Sequence, residues 1–535
     1  MTFIHFPARL RPSVSVSAMT LALAAGLSGC ASIGPDFQAP EVAAPASWRE
    51  RSSADPDAAA LTPDARGLRP DWWRAFNDPV LDTLQQRAAA ASPDLQTAAL
   101  RLAQSRVQRT TVAAQRGPQV NASGAATRQR QSEYSAGTRL VDAVAPGNRE
   151  ELVSVLSDPF ALYQAGFDAS WELDLWGRVR RSIESAEAGV RQAEALLADV
   201  QLSVQSEIAR QYVELRAAQA QLALTLRDIT ATQEQLDLTQ ARADGGLVSG
   251  LDPVVQRGQL TELRSRVPDL QSGVAQRMNQ LGLLTGQQPG ELNLLLAPPT
   301  EVGQRHMPSR RTQHVLPPEA LPPVPRFQAV LPDLSLGLPA DVARRRPDIR
   351  AAQARLHAAT ANIGVATADL FPRLTLGASF GLESTEGSKF GEWGTRNWQV
   401  GPSLSLPLFD QGRRRSVIVL RELEQQEAAV AFQQSVLKAW QEIDDALIRY
   451  GAEQRKHAAL QTRLANAEDA WTLARAQYAN GLVSYLSQLD AERNVLQARR
   501  EWVQSDHQRF VALIGVYKAV GGGDELVPSA PASSN

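Results

Sequence analysis

Residues 163–178 read Tyr-Gln-Ala-Gly-Phe-Asp-Ala-Ser-Trp-Glu-Leu-Asp-Leu-Trp-Gly-Arg, and the pattern changes character at the glycine. Before it, Tyr163, Ala165, Phe167, Ala169, Trp171, Leu173 and Leu175 alternate with Gln164, Gly166, Asp168, Ser170, Glu172 and Asp174. A period of two predicts a strand with an apolar, aromatic face and a polar face. After Gly177-Arg178 the period lengthens. From Ala186 through Val190, Ala193, Leu197, Val200, Val204, Ile208, Tyr212, Leu215, Ala218, Leu222 and Leu226 to Ile229, apolar residues recur about every 3.6 positions, as on an amphipathic helix with little supercoil demand. The helix is predicted from Val179 to Ala243, roughly 100 Å at 1.5 Å per residue. Gly245-Gly246 ends it. Ser249 and Asp252-Pro253 then supply cap and first-turn chemistry for a returning helix to about Thr285, with a kink at Pro268.

The sequence repeats this design. Gly166, Gly177-Arg178, Gly246-Leu247-Val248-Ser249 and Gly286 recur 235 residues later as Gly401, Gly412-Arg413, Gly481-Leu482-Val483-Ser484 and Gly521. Upstream, Pro93-Asp94-Leu95 and Pro118 recur at an offset of 254, as Pro347-Asp348-Ile349 and Pro372. The 19-residue difference must fall between Pro118 and Gly166, in a surface loop that can vary in length while packed elements cannot. The second hairpin is predicted as Arg414 to Ala479 and Tyr485 to Val520. Shorter helices run from Pro93 to Arg116 and from Pro347 to Leu370.

Three further stretches alternate. Leu374, Leu376, Ala378, Phe380 and Leu382 do so around Thr375, Gly377, Ser379 and Gly381, and Trp398, Val400, Leu404, Leu406 and Leu408 around Gln399, Gly401, Ser403 and Ser405. The strand after Pro118 (Val120, Ala122, Gly124, Ala126) is weaker. A soluble sandwich also alternates on one face; strands of about 10 residues with aromatics near their ends also fit a lipid-facing barrel. Four strands cannot close a membrane barrel, and an open edge in lipid leaves backbone groups unpaired. Two chains would give eight strands and a filled interior. Three give twelve strands and room for a lumen, closed by ordinary cyclic symmetry. The expected fold is thus mixed α and β: long antiparallel helical hairpins forming a trimeric α-barrel, and four transmembrane β-strands per chain in a shared 12-stranded β-barrel.

Composition narrows the function. Lys and Arg total 55 against 57 Asp and Glu in 535 residues, a net charge of -2, without the basic footprint of a nucleic-acid binder. One cysteine excludes a disulfide framework or Cys-rich metal site, and six His and four Met are scattered. No HExxH, phosphate-binding glycine loop or GxSxG elbow is present, so an enzyme is not expected. At the N-terminus, Arg9 and Arg11 precede a short apolar stretch from Val14 to Leu27, too short to span a bilayer. It ends in Leu27-Ser28-Gly29-Cys30, which resembles the bacterial lipobox; Cys30 is then the acylated first residue of the mature chain, and two or more acyl chains anchor stably. Ala31 in the next position, by resemblance to bacterial sorting patterns, favours the outer membrane.

Gly34-Pro35-Asp36-Phe37, Trp72-Trp73 with Phe76 and Asp78-Pro79, and Trp171-Glu172-Leu173-Asp174-Leu175-Trp176-Gly177 together resemble the TolC-like outer-membrane factors, in the lipidated OprM- and NodT-like branch serving RND-type efflux pumps. So do Gly337-Leu338-Pro339, Arg345-Arg346-Pro347-Asp348-Ile349-Arg350, Phe371-Pro372 and Tyr517-Lys518-Ala519 before Gly521-Gly522-Gly523. The resemblance implies a homotrimer in the outer membrane that docks through a periplasmic adaptor onto an inner-membrane pump and passively conducts drugs or other small molecules outward. It needs no cofactor beyond the lipid on Cys30. Metal efflux or type I protein secretion are alternative cargoes, and a non-pore, lipid-anchored adaptor or scaffold is the alternative class. The expected divisions are a signal peptide (1–29), an anchored extended segment (30–70), a first repeat (71–286), an equatorial linker (287–340), a second repeat (341–521) and a tail (522–535). Trp48 to Leu84 with Gln287 to Ala340 and the tail would form a belt around the tunnel.

The resemblance also carries a gate. In the family, the inner helix after the second turn narrows the entrance with a hydrophobic ring and a carboxylate ring, and the matching positions are Leu486 and Asp490. They lie one turn apart on the same helix face. Three Asp490 carboxylates near an axis would repel one another, favouring protonation or cation binding. Tyr478 matches a tyrosine that holds the closed state. Some relatives lock the tip with an arginine and a second acid where this chain has Val483 and Ser487. Leu247, Val248, Leu482 and Val483, at the two turns, are the candidate adaptor contacts.

Overall fold

The computed structural model describes residues 32–41, 71–298 (apart from 136–137, 140, 142–143 and 145) and 344–522. The predicted signal peptide, Cys30, most of segment 30–70, most of the linker 287–340 and the tail beyond 522 lie outside the described residues.

The repeat is written into the element boundaries. Helix α4 (Arg178–Asp244) and helix α7 (Arg413–Ala479) have 67 residues each, and both their ends are 235 apart. Their returning partners are α5 (Leu251–Leu284) and α8 (Tyr485–Ala519), which end 235 apart. Helix α5 continues through Pro268 as one helix. Between them, Gly246 and Gly481 both take φ +71°, a left-handed conformation open to glycine without a Cβ penalty. The next N–H then reaches back to the helix, from Leu247 to Arg242 C=O and from Leu482 to Gln477 C=O, both at 2.8 Å. This is the Schellman stop, made twice. The restart differs between copies. Ser484 caps α8 by accepting from Ser487 N–H, whereas α5 starts after Gly250 and Ser249 Oγ accepts only from Leu251 N–H at 3.2 Å.

The shorter helices are α1 (Pro79–Ala91), α2 (Pro93–Ala113), α3 (Arg149–Ser157) and α6 (Pro347–Ala368), and the strands are β1 (Gln119–Gln129), β2 (Phe160–Leu173), β3 (Arg373–Ser384) and β4 (Arg396–Ser405). The β1–β2 connection spans 130–159 and the β3–β4 connection 385–395, so the 19 extra residues fall in that first loop, which carries α3. The residues pack as two units, each drawing on both repeats. One holds 32–39, 105–190 and 355–429; the other holds 40–41, 71–104, 191–298, 344–354 and 430–522.

The first unit contains the sheet, an antiparallel meander in the order β1-β2-β3-β4. Its register collects the apolar residues on one face. Ala122, Phe167, Phe380 and Trp398 stand side by side across the four strands, as do Val120, Ala169, Ala378 and Val400. The other face carries Asn121, Asp168, Ser379 and Gln399 in one row. A soluble sandwich would bury the aromatic row. Here Phe167 is 59% exposed, Phe380 48% and Trp398 70%. Two strands end earlier than the alternation predicts. Strand β2 stops at Leu173 and not Leu175, because Asp174 turns to cap α4, accepting from Val179 N–H and Arg180 N–H at 2.9 Å each. Strand β4 stops at Ser405 and not Leu408; Pro407 has no N–H for the ladder, and Asp410 caps α7 by accepting from Gly412 and Arg414 N–H.

The second unit holds the main apolar core. A 3₁₀ turn at Trp72–Phe76 lays Trp72 flat on Tyr517, centroids 5.0 Å apart, and sets Phe76 against Phe510. Asp78 caps α1 through Val80 N–H and accepts from the Tyr212 hydroxyl at 2.6 Å. Burial, then that bond to a carboxylate, holds the Tyr212 hydroxyl well above its ordinary pKa. Arg346 lies at the start of α6, 7% exposed. It donates to Ala519 C=O at 2.6 Å, to both Asp348 oxygens at 2.7 and 3.0 Å, and to Glu442 at 2.6 Å. No helix among the described residues is long and apolar enough to cross a membrane.

Candidate gate

The ends of the two hairpins lie within the second unit, so their geometry can be read directly. Leu486 and Asp490 sit on α8 one turn apart, and both are exposed, Leu486 at 52%. The opposite side of that turn is packed: Tyr485, Gln488 and Leu489 are buried. The sequence therefore presents an apolar residue and a carboxylate together on the free face of a helix anchored through its other face. Asp490 accepts from Asn494 at 3.4 Å, a long contact from its own helix. Of the turn residues, Leu247 and Leu482 are 78% and 74% exposed, while Val248 and Val483 are half-buried.

Tyr478 closes α7 with its ring tilted against Tyr485, centroids 5.6 Å apart. The polar contact belongs to Tyr485, which sequence reasoning passed over. Its hydroxyl donates to Gln256 Oε1 at 2.6 Å and ties the start of α8 to α5. Burial pushes the Tyr485 hydroxyl up to about 12. In the first copy the matching position is Gly250, so the two turns are tied unequally. The sequence held a signal: an aromatic directly after the capping Ser484, where the other copy has glycine.

Further along the hairpins a second polar group was also missed. Asp228 on α4 is 4% exposed, with Arg500 of α8 at 3.8 Å. Burial pushes its carboxyl up to about 6, against the pull of Arg500 and Arg499. Burial and the neighbouring Asp228 likewise raise Glu492. Among the described residues, no cluster of His, Cys, Asp and Glu is arranged to hold a metal ion.

A four-stranded sheet with an uncovered aromatic face, joined to duplicated hairpins of which the second exposes Leu486 and Asp490 at its end, is the pattern of a membrane-embedded conduit. The chain belongs to the outer membrane efflux protein family, whose model matches residues 84–287 and 338–522. It is 30% identical over 516 residues to outer membrane protein OprJ of Pseudomonas aeruginosa, covering 96% of each chain. It is 29% identical to the toluene efflux pump outer membrane protein TtgC of Pseudomonas putida, over 95% of this chain and 96% of that one. Among solved structures, the outer-membrane channel OprN superposes with a TM-score of 0.75 at 31% identity, over 92% of this chain and 99% of that one. A CusC structure superposes at 0.72 with 26% identity, over 92% and 100%. The chain is thus an outer-membrane efflux channel of the TolC-like class and not an enzyme.

Proposed function

We propose that three copies join through β1 and β4 into one 12-stranded barrel whose helical hairpins continue as a periplasmic tunnel, the exit duct for small molecules delivered by an adaptor and an inner-membrane RND-type pump. The single observation that carries this reading is the sheet. Its aromatic face is uncovered, and its two outer strands, β1 and β4, are each paired on one side only, with β2 and β3, leaving their outer edges open within the sheet. In lipid, unpaired strand edges are tolerated only if another chain completes them. Drugs and organic solvents are the cargo class, supported by the names of the relatives: a toluene pump and an antibiotic pump component. Acylated Cys30 anchors each chain to the membrane.

Leu486 and Asp490, with Tyr478 packed behind on Tyr485, form the closed entrance. Leu247, Val248, Leu482 and Val483 meet the adaptor tips. No arginine lock stands at Val483; the Tyr485–Gln256 bond and turn packing hold the entrance instead. Single-channel conductance in planar bilayers tests this: Asp490→Ala and Leu486→Ser should each raise the resting conductance. Wild-type conductance in both would remove Leu486 and Asp490 from the gate.

A further inference from the structure

Gly34-Pro35-Asp36-Phe37 has no place in the gate, yet it and the two residues before it are held at several points in the first unit, although Gly34, Pro35 and Asp36 stay largely exposed. Ser32 lies over Gly177, where a Cβ would stand 3.0 Å from the Ser32 Cα, and Ile33 N–H donates to Trp176 C=O at 3.2 Å. Gly34, at φ +98°, rests on Gly364 of α6 so closely that a Cβ on Gly364 would stand 2.9 Å from Ile33 O and 2.8 Å from Arg181 Cγ. Arg181, whose side chain is 4% exposed, gathers the segment's acceptors: Ile33 C=O and Gly34 C=O at 3.3 Å each and Asp36 Oδ1 at 2.6 Å. Its other Nη donates to Glu184 at 2.7 Å, and Glu184 bonds His357 at 2.9 Å. Phe37 then stacks flat on the His357 ring, centroids 4.2 Å apart. Burial works against the Arg181 charge, but the bonds to Asp36 and Glu184 outweigh it and its pKa stands above its ordinary value.

We propose that Ser32–Phe37 is a clasp: a groove built from Gly177, Arg181, His357 and Gly364 receives this chain's own N-terminus and fixes the acyl anchor at the junction of β2 and α4. The anchor half rests on the reading of Cys30 as acylated. One residue, Ala31, separates Cys30 from Ser32. Two Cα steps of 3.8 Å hold the Cys30 Cα within about 7.6 Å of Ser32. Unseated, residues 32–41 alone would let that Cα wander about 17 Å, the root-mean-square span of roughly ten flexible residues. The clasp thus decides between an anchor at one place on the wall and a loose leash. That place is marked by Trp176, which stacks on Phe371 at 4.9 Å and donates to Pro372 C=O. Aromatic pairs of this kind band outer-membrane barrels at the bilayer surface.

The test uses the full-length protein in isolated outer membranes, carrying Gln38→Cys labelled with a maleimide fluorophore. Gln38 is exposed beside the clasp, and Cys30 is the only native cysteine. Label stoichiometry reads the anchor by itself: one dye per chain if Cys30 is acylated, two if its thiol is free. Anisotropy of the dye and cleavage by endoproteinase Asp-N before Asp36 read the clasp. In the otherwise native sequence the dye should be held and Asp36 protected. Gly364→Val fills the seat while favouring the helix it sits in, since valine is the better helix former. It should drop the anisotropy to that of a free tether and speed cleavage at least about tenfold, because cleavage follows the population of the open form. Arg181→Met should do the same to a smaller degree. Unchanged anisotropy and cleavage in Gly364→Val, or a dye already mobile in its absence, would overturn the clasp. Two dyes per chain with the protection intact would instead remove the acyl anchor and leave the clasp standing.

Discussion

Replacing Arg346 with methionine should destabilise the protein by about 2–4 kcal/mol, and the figure follows from what the guanidinium touches. Three groups depend on it. The Ala519 carbonyl closes α8 and belongs to the last turn, where carbonyls lack helical partners. Stripped of its donor in a buried place, such a group costs about 1–3 kcal/mol. Asp348 and Glu442 would then lose the cation between them, Glu442 keeping only the exposed Lys438 at 3.5 Å. Removing one partner of a fully buried pair costs about 3–5 kcal/mol, but these carboxylates are 31% and 40% exposed, so water takes over much of that loss. Arg346→Lys keeps the charge but not the fork. One ammonium cannot serve three acceptors so spaced, and it should recover about half. Adding Asp348→Asn to Arg346→Met should recover part of the loss, because it removes one of the two carboxylates that lost the guanidinium. The assay is chemical denaturation of detergent-solubilised protein, followed by tryptophan fluorescence, with the slope checked for constancy. A midpoint for Arg346→Met within about 0.5 kcal/mol of wild type, the range of an ordinary surface substitution, would refute the reasoning.

Two further outcomes follow from the same geometry. His507 on α8 is buried, and burial, with Arg277 nearby, lowers it to about 4. The unfolded chain takes up that proton near pH 6.5 and the folded one does not. His507 therefore contributes stability above pH 6.5 that is lost as pH falls toward 4, about 3 kcal/mol in all; His507→Gln should flatten this acid limb, and an unchanged pH profile would count against it. On the sheet, Phe380→Arg puts a charge on the uncovered face and should cost about 2–4 kcal/mol in vesicles. Ser379→Arg, one residue away on the polar face, should be tolerated. Equal folding yields for the two would mean the aromatic row does not face lipid.

Much of this molecule is legible as spacing. The 235-residue offset carried over to helix ends because a hairpin stop needs glycine at positive φ, and Gly246 and Gly481 cannot drift without losing it. The burial stripe was only half legible. Val204, Ile208, Tyr212 and Leu215 are buried as the 3.6 period predicts, yet Leu226 is 46% exposed. Beyond residue 220 the buried positions include Leu224, Thr225, Asp228, Thr232, Leu236 and Thr239, many of them polar. Thr225 and Thr239 each donate to the carbonyl four residues back, so threonine can be buried there with its hydroxyl satisfied and escape an apolar count. Arg346 was visible only as part of a family motif, because its partners lie up to 173 residues away. Gly34-Pro35-Asp36-Phe37 was likewise a marker without a role until Arg181 and Gly364 came alongside it. Leu486 and Asp490 share a face by helical spacing alone, whereas the Tyr485–Gln256 bond crosses between repeats, so sequence could mark Tyr485 as unusual after Ser484 but not its partner.

The central claim is that the wall is shared among chains, and inter-strand cross-linking tests it most directly. Cysteines would be placed on the polar face of both outer strands, Ser123→Cys on β1 combined in turn with Asn397, Gln399, Gly401 or Ser403→Cys on β4, and oxidised in outer membranes. The account predicts that at least one pairing yields a covalent ladder of one, two and three chains, ending at three. Cross-links confined within a single chain, or a ladder that ends at two or runs past three, would contradict it.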